Sequence, residues 1–310
     1  MDKNFRSVFF LGLTSIIWGL AFVFQSTGMD HVGPYTYNFG RGLLAGLSLL
    51  ILILVRPKSM QENHKVDKKL TVVGGIVIGL CLAVGQNLQQ LGIVYTDVGK
   101  AGFLTTLYIV FIPILYLFLG KKPDRKVFLC VLLAVVGLYF ISIKEGFVIE
   151  KGDILLILGA IGYAVHIMVI SYYSPNTDNV MLSCIQFFVY SIISLIIALF
   201  TEDVTLSGIW DARTSLLYTG VLSSAVGYTI SIVALKDFDA TIGSLILSLE
   251  SIVAAIAGAV LLHQFLTPRE TVGCAIVFIA TILAQIDTSK IKEFLAKKKE
   301  RELALSLIHI

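Results

Sequence analysis

The feature that most constrains this chain is a succession of apolar blocks, each roughly 17 to 23 residues long and separated by short polar breaks. At about 1.5 Å of rise per residue, a helix of that length crosses the ~30 Å of hydrocarbon in a bilayer, where a backbone N–H or C=O can find no water. Ten blocks can be read, at residues 8–28, 35–55, 70–92, 99–119, 127–143, 152–172, 181–200, 214–235, 242–262 and 270–286. A mean hydropathy of +0.87 with only 15% charged residues excludes a water-soluble chain built around one core. A membrane β-barrel would alternate apolar and polar residues in ~10-residue segments, and no stretch does so. The expected fold is an all-α membrane protein of ten transmembrane helices.

The first block, from Val8 to about Gly28, is too long for a signal-peptide core and ends without a small-residue cleavage site, so it reads as a retained span. The last six residues, 305–310, resemble the translation of a sequencing-library adapter and are read as an assembly artefact. Cys81, Cys130, Cys184 and Cys274 fall in four different blocks and suggest neither a disulfide framework nor a metal site.

Orientation follows from where Lys and Arg fall. With the N-terminus cytoplasmic, eighteen of them lie on inner segments and five, Lys100, Lys144, Lys151, Arg213 and Arg269, on outer connections. The two halves also resemble each other at an offset of 142: Ala83-Val-Gly85 falls on Ala225-Val-Gly227, Asp97 on Asp239 and Tyr108 on Glu250. Five helices per half is an odd number, so the second copy runs opposite to the first across the bilayer. The expected organisation is an N-terminal repeat over 1–147, an inverted C-terminal repeat over 148–290, and a basic cytoplasmic tail over 291–304. Gly42-xxx-Gly46, Gly75-xxx-Gly79, Ala160-xxx-Ala164 and Ala254-xxx-Gly258 read as helix-packing spacings.

Polar residues inside the blocks are the candidates for function. Glu250 is the clearly intramembrane carboxylate, and an unpaired charge at such depth costs at least ~2.5 kcal/mol. It reads either as a proton-coupling or substrate-amine site or as a structural hydrogen bond. Arg41, early in the second block, reads as snorkelling to the outer interface or as a structural ion pair, with recognition of a substrate carboxylate as the alternative. The third block carries Gln86-Asn-Leu-Gln-Gln90, with Gln86 and Gln90 stacked one turn apart. Such a face must look into protein or water, either as a cavity lining or as a polar seam between helices.

Stripes of mixed aromatic and polar character add Trp18, Phe22 and Gln25 in the first block, and Thr105, Tyr108 and Ile112 in the fourth. Tyr163 and His166 share a face of the sixth block, and Ser224, Tyr228 and Ser231 one of the eighth. His166 has no companion ligand at helical spacing, so no metal is implied. No phosphate-binding GxxxxGK[ST], HExxH or GxSxG motif occurs, and the chain reads as neither an ATPase nor an enzyme, with no cofactor.

Trp18-Gly19, Arg41-Gly-Leu-Leu-Ala45, the run Ala101-Gly-Phe-Leu-Thr-Thr-Leu-Tyr108 leading to Pro113, and Leu249-Glu250 together resemble the EamA family of the drug/metabolite transporter superfamily, over roughly residues 8–286. The resemblance implies a bacterial inner-membrane exporter of amino acids or other metabolites, its central cavity lined by the first, third, fourth, sixth, eighth and ninth helices. Ser251, Leu119-Gly-Lys121 and Leu262-His-Gln264 depart from the family pattern, and the first span lacks the acid that small multidrug antiporters of the superfamily use.

The expected activity is secondary transport, by alternating access, of amino acids or similar small polar metabolites across the bacterial plasma membrane, with both termini cytoplasmic. Trp18, Gln25, Gln86, Gln90, Tyr108, Tyr163, His166, Tyr228 and Glu250 are the expected substrate-binding residues. The expected partners are a small-molecule substrate and the lipid bilayer, with proton coupling and a homodimer as open options and no nucleic acid. A sugar-phosphate or nucleotide-sugar antiporter would need several cavity cations, for which only Arg41, Lys100 and Lys236 lie near enough. A non-transporting scaffold would have no reason to gather amides, aromatics and a carboxylate.

Overall fold

In a computed structural model, residues 3–56, 66–96, 98–121, 124–142, 150–236, 240–261 and 267–285 are described. Outside them lie Asp97, Asp239, the basic connection 57–65, the Leu262-His-Gln264 departure, the tail from Lys290 and residues 305–310. Every regular element among the described residues is helical.

Among the described residues, eight segments are long and apolar enough to cross a membrane: Phe5–Gly28, Pro34–Val55, Lys68–Ile93, Val98–Phe118, Lys151–Asn176, Asn179–Thr201, Arg213–Leu235 and Ala240–Leu261. The first three form helices α1 (Lys3–Gly28), α2 (Pro34–Val55) and α3 (Lys68–Ile93). The fourth is broken into α4 (Val98–Thr106) and α5 (Tyr108–Phe118). Next come α6 (Arg125–Ser142), α7 (Lys151–Tyr173) and α8 (Asn179–Thr201), followed by the short surface helix α9 (Leu206–Asp211). The span Arg213–Leu235 comprises α10 (Arg213–Leu217), a π-helical stretch Tyr218–Tyr228 and α11 (Thr229–Leu235). The last elements are α12 (Ala240–Leu247), α13 (Glu250–Leu261) and α14 (Pro268–Gln285). The two remaining apolar blocks of the sequence are thus α6 and α14, which pack side by side; a Cβ at Gly137 would lie 2.8 Å from the Gly273 carbonyl.

Polar residues at the breaks start these helices. Asp67 accepts from Leu70 N at 2.9 Å at the start of α3, and Asp178 accepts from Val180 N and Met181 N, both at 3.1 Å, at the start of α8. Helix α2 begins with Pro34 and is capped from a distance: Glu202, at the far end of α8, accepts from Tyr35 N and Thr36 N, both at 2.8 Å. The opposite ends of the same two helices are tied by Arg56 and Asp178. α2 and α8 are therefore clamped at both ends.

Between the clamps, small residues bring backbones together. A Cβ at Gly75 would lie 2.7 Å from Ile185 Cβ, and one at Gly79 would lie 2.7 Å from Val189 Cβ, so α3 can meet α8 so closely only with glycine at both places. Gly42 and Gly46 face Tyr190 and Phe188 in the same way. Large apolar side chains such as Ile51, Leu54, Phe118, Leu199 and Phe200 point outward, while Arg41, Gln86, Gln186 and Glu250 are buried. This inversion of the arrangement found in soluble proteins is what a hydrocarbon solvent demands.

Candidate functional site

Two spans are interrupted at matching places. Between α4 and α5 the chain tightens at Leu107, whose N–H reaches the Leu104 carbonyl at 3.3 Å, and Val110 N reaches Leu107 O at 2.9 Å. Between α12 and α13 the same three-residue bonding recurs, from Leu249 N to Ile246 O at 3.2 Å and from Ile252 N to Leu249 O at 3.1 Å. Locally tightened turns re-aim the residue that follows. The residues that follow are Tyr108 and Glu250, and the Tyr108 hydroxyl donates to Glu250 Oε1 at 3.0 Å.

Both residues line a narrow cavity that encloses about 450 Å³ of atom-free space, the open space at its mouth included. Its wall is drawn from Trp18, Ala21, Phe22 and Gln25 of α1, Arg41 of α2, Gln86 and Gln89 of α3, Thr105 of α4 and Tyr108 of α5. The rest comes from Tyr163, His166 and Ile167 of α7, Ser223 and Tyr228 of the π-helical stretch, and Glu250 of α13. Tyr228 is the aromatic hub, with ring centroids 4.5 Å from Trp18, 5.4 Å from Phe187 and 5.9 Å from His166. His166 Nε2 lies 3.1 Å from Gln186 Oε1, which fixes the ring against α8.

A chain of neutral hydrogen bonds runs around the wall. The Gln86 amide is satisfied with its NH2 toward Gln89 Oε1 at 2.9 Å and the Tyr163 hydroxyl at 2.6 Å. Its carbonyl then faces the Tyr228 hydroxyl and both Arg41 terminal nitrogens, all at 3.2 Å. The reverse orientation would set an NH2 against a guanidinium, donor against donor. Gln89 continues the chain by donating to Thr105 Oγ1 at 3.2 Å.

Arg41 is the cation of this wall and is only 1% exposed. Its Nη1 donates to Gln25 Oε1 at 2.8 Å, and its Nε and Nη2 donate to Ser224 Oγ at 3.3 and 3.2 Å. No carboxylate forms an ion pair with it among the described residues. The expected snorkelling and ion pairing are therefore both corrected: the guanidinium turns into the bundle because neutral acceptors surround it there.

Of the nine residues expected from the sequence, Trp18, Gln25, Gln86, Tyr108, Tyr163, His166, Tyr228 and Glu250 are brought together around the cavity. Gln90 is not. It is buried behind Gln25, whose carbonyl lies 3.5 Å from Gln90 Nε2. The amide run of α3 is divided: Gln86 and Gln89 face the cavity, whereas Asn87 turns to a seam with α2 and α8, where Asn38 Nδ2 and Ser194 Oγ reach its Oδ1 at 3.1 and 3.0 Å. Gln89 is not among the expected lining residues, and Arg41 enters the expectations only through the alternative of carboxylate recognition. Gln89 sits three residues after Gln86, a spacing that shares a face as well as four does. Lys100 is absent from the wall, being paired with Asp153 at 2.7 Å.

Comparison with known proteins gives this geometry its class. The chain matches the EamA-like transporter family over residues 5–143 and again over 150–285. It belongs to that family. Over 281 residues it is 29% identical to an uncharacterized transporter of Archaeoglobus fulgidus, covering 89% of this chain and 84% of the relative. Over 287 residues it is 22% identical to the uncharacterized transporter YoaV of Bacillus subtilis, covering 86% of this chain and 93% of the relative. A solved crystal structure shares the fold with a TM-score of 0.69 at 15% identity, covering 89% of this chain and 95% of that one. Like its relatives, this EamA-like protein is a multi-pass membrane transporter, whose surroundings are lipid and whose cargo is a small molecule.

Proposed function

We propose that this EamA-like chain is a secondary transporter of the bacterial inner membrane that exports amino acids or similar small polar metabolites by alternating access. The observation that carries this reading is the makeup of the cavity wall: amides, hydroxyls, aromatic rings, one guanidinium and one carboxylate, contributed by helices of both halves of the chain. Neutral amides and hydroxyls can hydrogen-bond a polar solute without holding it too tightly to leave, which a carrier requires.

The ten-helix organisation is part of the proposal, as two inverted halves over 1–147 and 148–290. It is supported by the two successive family matches and by the paired interruptions at Leu107 and Leu249, which stand 142 residues apart like Tyr108 and Glu250. Pairing across the halves also supports it: α2 packs on α8, α6 on α14, and α3 on α7 as α1 does on the π-helical stretch. Rocking of such halves opens one chamber to each side in turn. Positive charge on the inner connections supports cytoplasmic termini. Glu250, the carboxylate of the wall, is the residue we assign to proton coupling. A phosphate-carrying antiporter is disfavoured, because Arg41 alone among the described lining residues carries a positive side chain.

The test is counterflow in proteoliposomes against a panel of labelled amino acids, sugars and nucleotides. Saturable flux of at least one polar metabolite is expected. A folded, reconstituted protein that moves none of them would refute the reading.

A further inference from the structure

We infer that Arg41 is the anion-binding element of the cavity and that the cargo presents a carboxylate to it. This rests on the transport reading above and narrows its substrate class. Four observations carry it. The guanidinium is 1% exposed in a chain whose outer solvent is hydrocarbon, and it lines the cavity. Its N–H groups meet only neutral acceptors: Gln25 Oε1 at 2.8 Å, Ser224 Oγ at 3.2 and 3.3 Å, and the Gln86 carbonyl at 3.2 Å. No ion pair relieves its charge among the described residues. Finally, the acceptors on its terminal nitrogens include two long amides, Gln25 and Gln86, that themselves line the cavity.

The geometry is that of a cation whose hydrogen bonds are filled but whose charge is not. Hydrogen-bonding dipoles lower the cost of burying a guanidinium, yet they leave a field that a neutral solute does not answer. Gln25 Oε1 stands on Nη1 and the Gln86 carbonyl faces both terminal nitrogens, so the fork that a carboxylate would engage is held by two amide oxygens. Rotation of either amide about its side-chain torsions hands its place to the ligand without changing the charge of the protein. A guanidinium matches a carboxylate in plane and spacing, which an ammonium does not. A purely structural arginine would be expected to face a carboxylate or helix-end carbonyls across a seam rather than a cavity wall.

Binding to the purified protein in lipid nanodiscs tests the assignment, with L-alanine, L-leucine and L-phenylalanine as probes, each compared with its primary amide. The amide keeps the ammonium and side chain, removes the negative charge and exchanges one acceptor oxygen for an NH2 donor. At least one acid is expected to bind roughly tenfold to a hundredfold more tightly than its amide. In Arg41→Gln that preference should vanish, acid and amide binding alike, and Arg41→Lys should retain part of it. Equal binding of acid and amide, failure of every acid to bind, or a preference that survives in Arg41→Gln overturns the assignment. Should Arg41→Gln not fold, the acid-against-amide comparison on the unaltered protein still decides. Proteoliposome flux scores the parent reading separately: flux of polar solutes without acid preference overturns the role of Arg41 alone, whereas no flux of any solute overturns the transport reading.

Discussion

The Tyr108 hydroxyl donates to Glu250 Oε1 at 3.0 Å across the cavity wall, joining two residues that each open a helix immediately after an interrupted span. This bond links the two halves of the chain at the place where their backbones depart from regular α-helix. It gives the buried carboxylate its one hydrogen-bond partner among the described residues.

Removing the phenol therefore strands the carboxylate. Tyr108→Phe is expected to lower thermal stability by about 1–3 kcal/mol, since a buried acceptor is left unsatisfied. Glu250→Gln keeps an acceptor for Tyr108 and should fold with near-normal stability while cutting flux by roughly tenfold or more. Thermal unfolding and counterflow on the two variants check this. Normal flux in Glu250→Gln would make the glutamate a structural residue.

The Arg56–Asp178 pair tying α2 to α8 predicts a pH dependence. Burial works against the Asp178 carboxylate, but the Arg56 guanidinium and the backbone N–H groups of Met181 and Val180 outweigh it and hold the carboxyl below its usual value. A lowered folded value means that the stabilisation is complete above the unfolded value of ~3.9 and is lost as pH falls through the folded one. At neutral pH Asp178→Asn should cost about 2 kcal/mol, through loss of the pair and weakening of the α8 cap. Its stability should then fall less than that of the unaltered protein on acidification below about pH 4. Parallel acid profiles for the two proteins would contradict the assignment.

Helix approach can be tested by adding one methyl group. In Gly79→Ala the new Cβ would lie 2.7 Å from Val189 Cβ and 2.9 Å from the Gln186 carbonyl, so α3 and α8 must part. A loss of about 1–3 kcal/mol is expected. Gly12→Ala meets nothing within 4 Å and should be neutral or stabilising by up to about 1 kcal/mol. Thermal midpoints of the pair give the answer, and equal midpoints would remove the close-packing argument.

Much of this arrangement is legible in the sequence because a bilayer imposes a coarse rule: ~20 apolar residues per crossing, with polar residues turned inward. That rule locates Glu250, Gln86, Tyr163 and Tyr228, since a polar group among apolar neighbours has few places to go. It does not resolve faces one residue apart, and so Gln90 was expected on the wall while Gln89 occupies it. Nor does it decide which way Arg41 turns. A guanidinium stem is long enough to reach either the interface or the bundle, and what decides is the presence of Gln25, Ser224 and Gln86 around its tip, brought there by three other spans. The breaks at Leu107 and Leu249 carry no glycine or proline signal of their own. The 142-residue offset pairs Tyr108 with Glu250 but gives no sign of a break at either place.

Alternating access requires that this one cavity be reached from both sides of the membrane. Thr105→Cys, placed on its wall in a background where Cys81, Cys130, Cys184 and Cys274 are replaced by alanine, can be exposed to a membrane-impermeant thiol reagent from either face of sealed vesicles. Alternating access predicts modification from each face in turn, slowed by a transported solute. Modification from one face only, or from neither while the protein is folded, would contradict it.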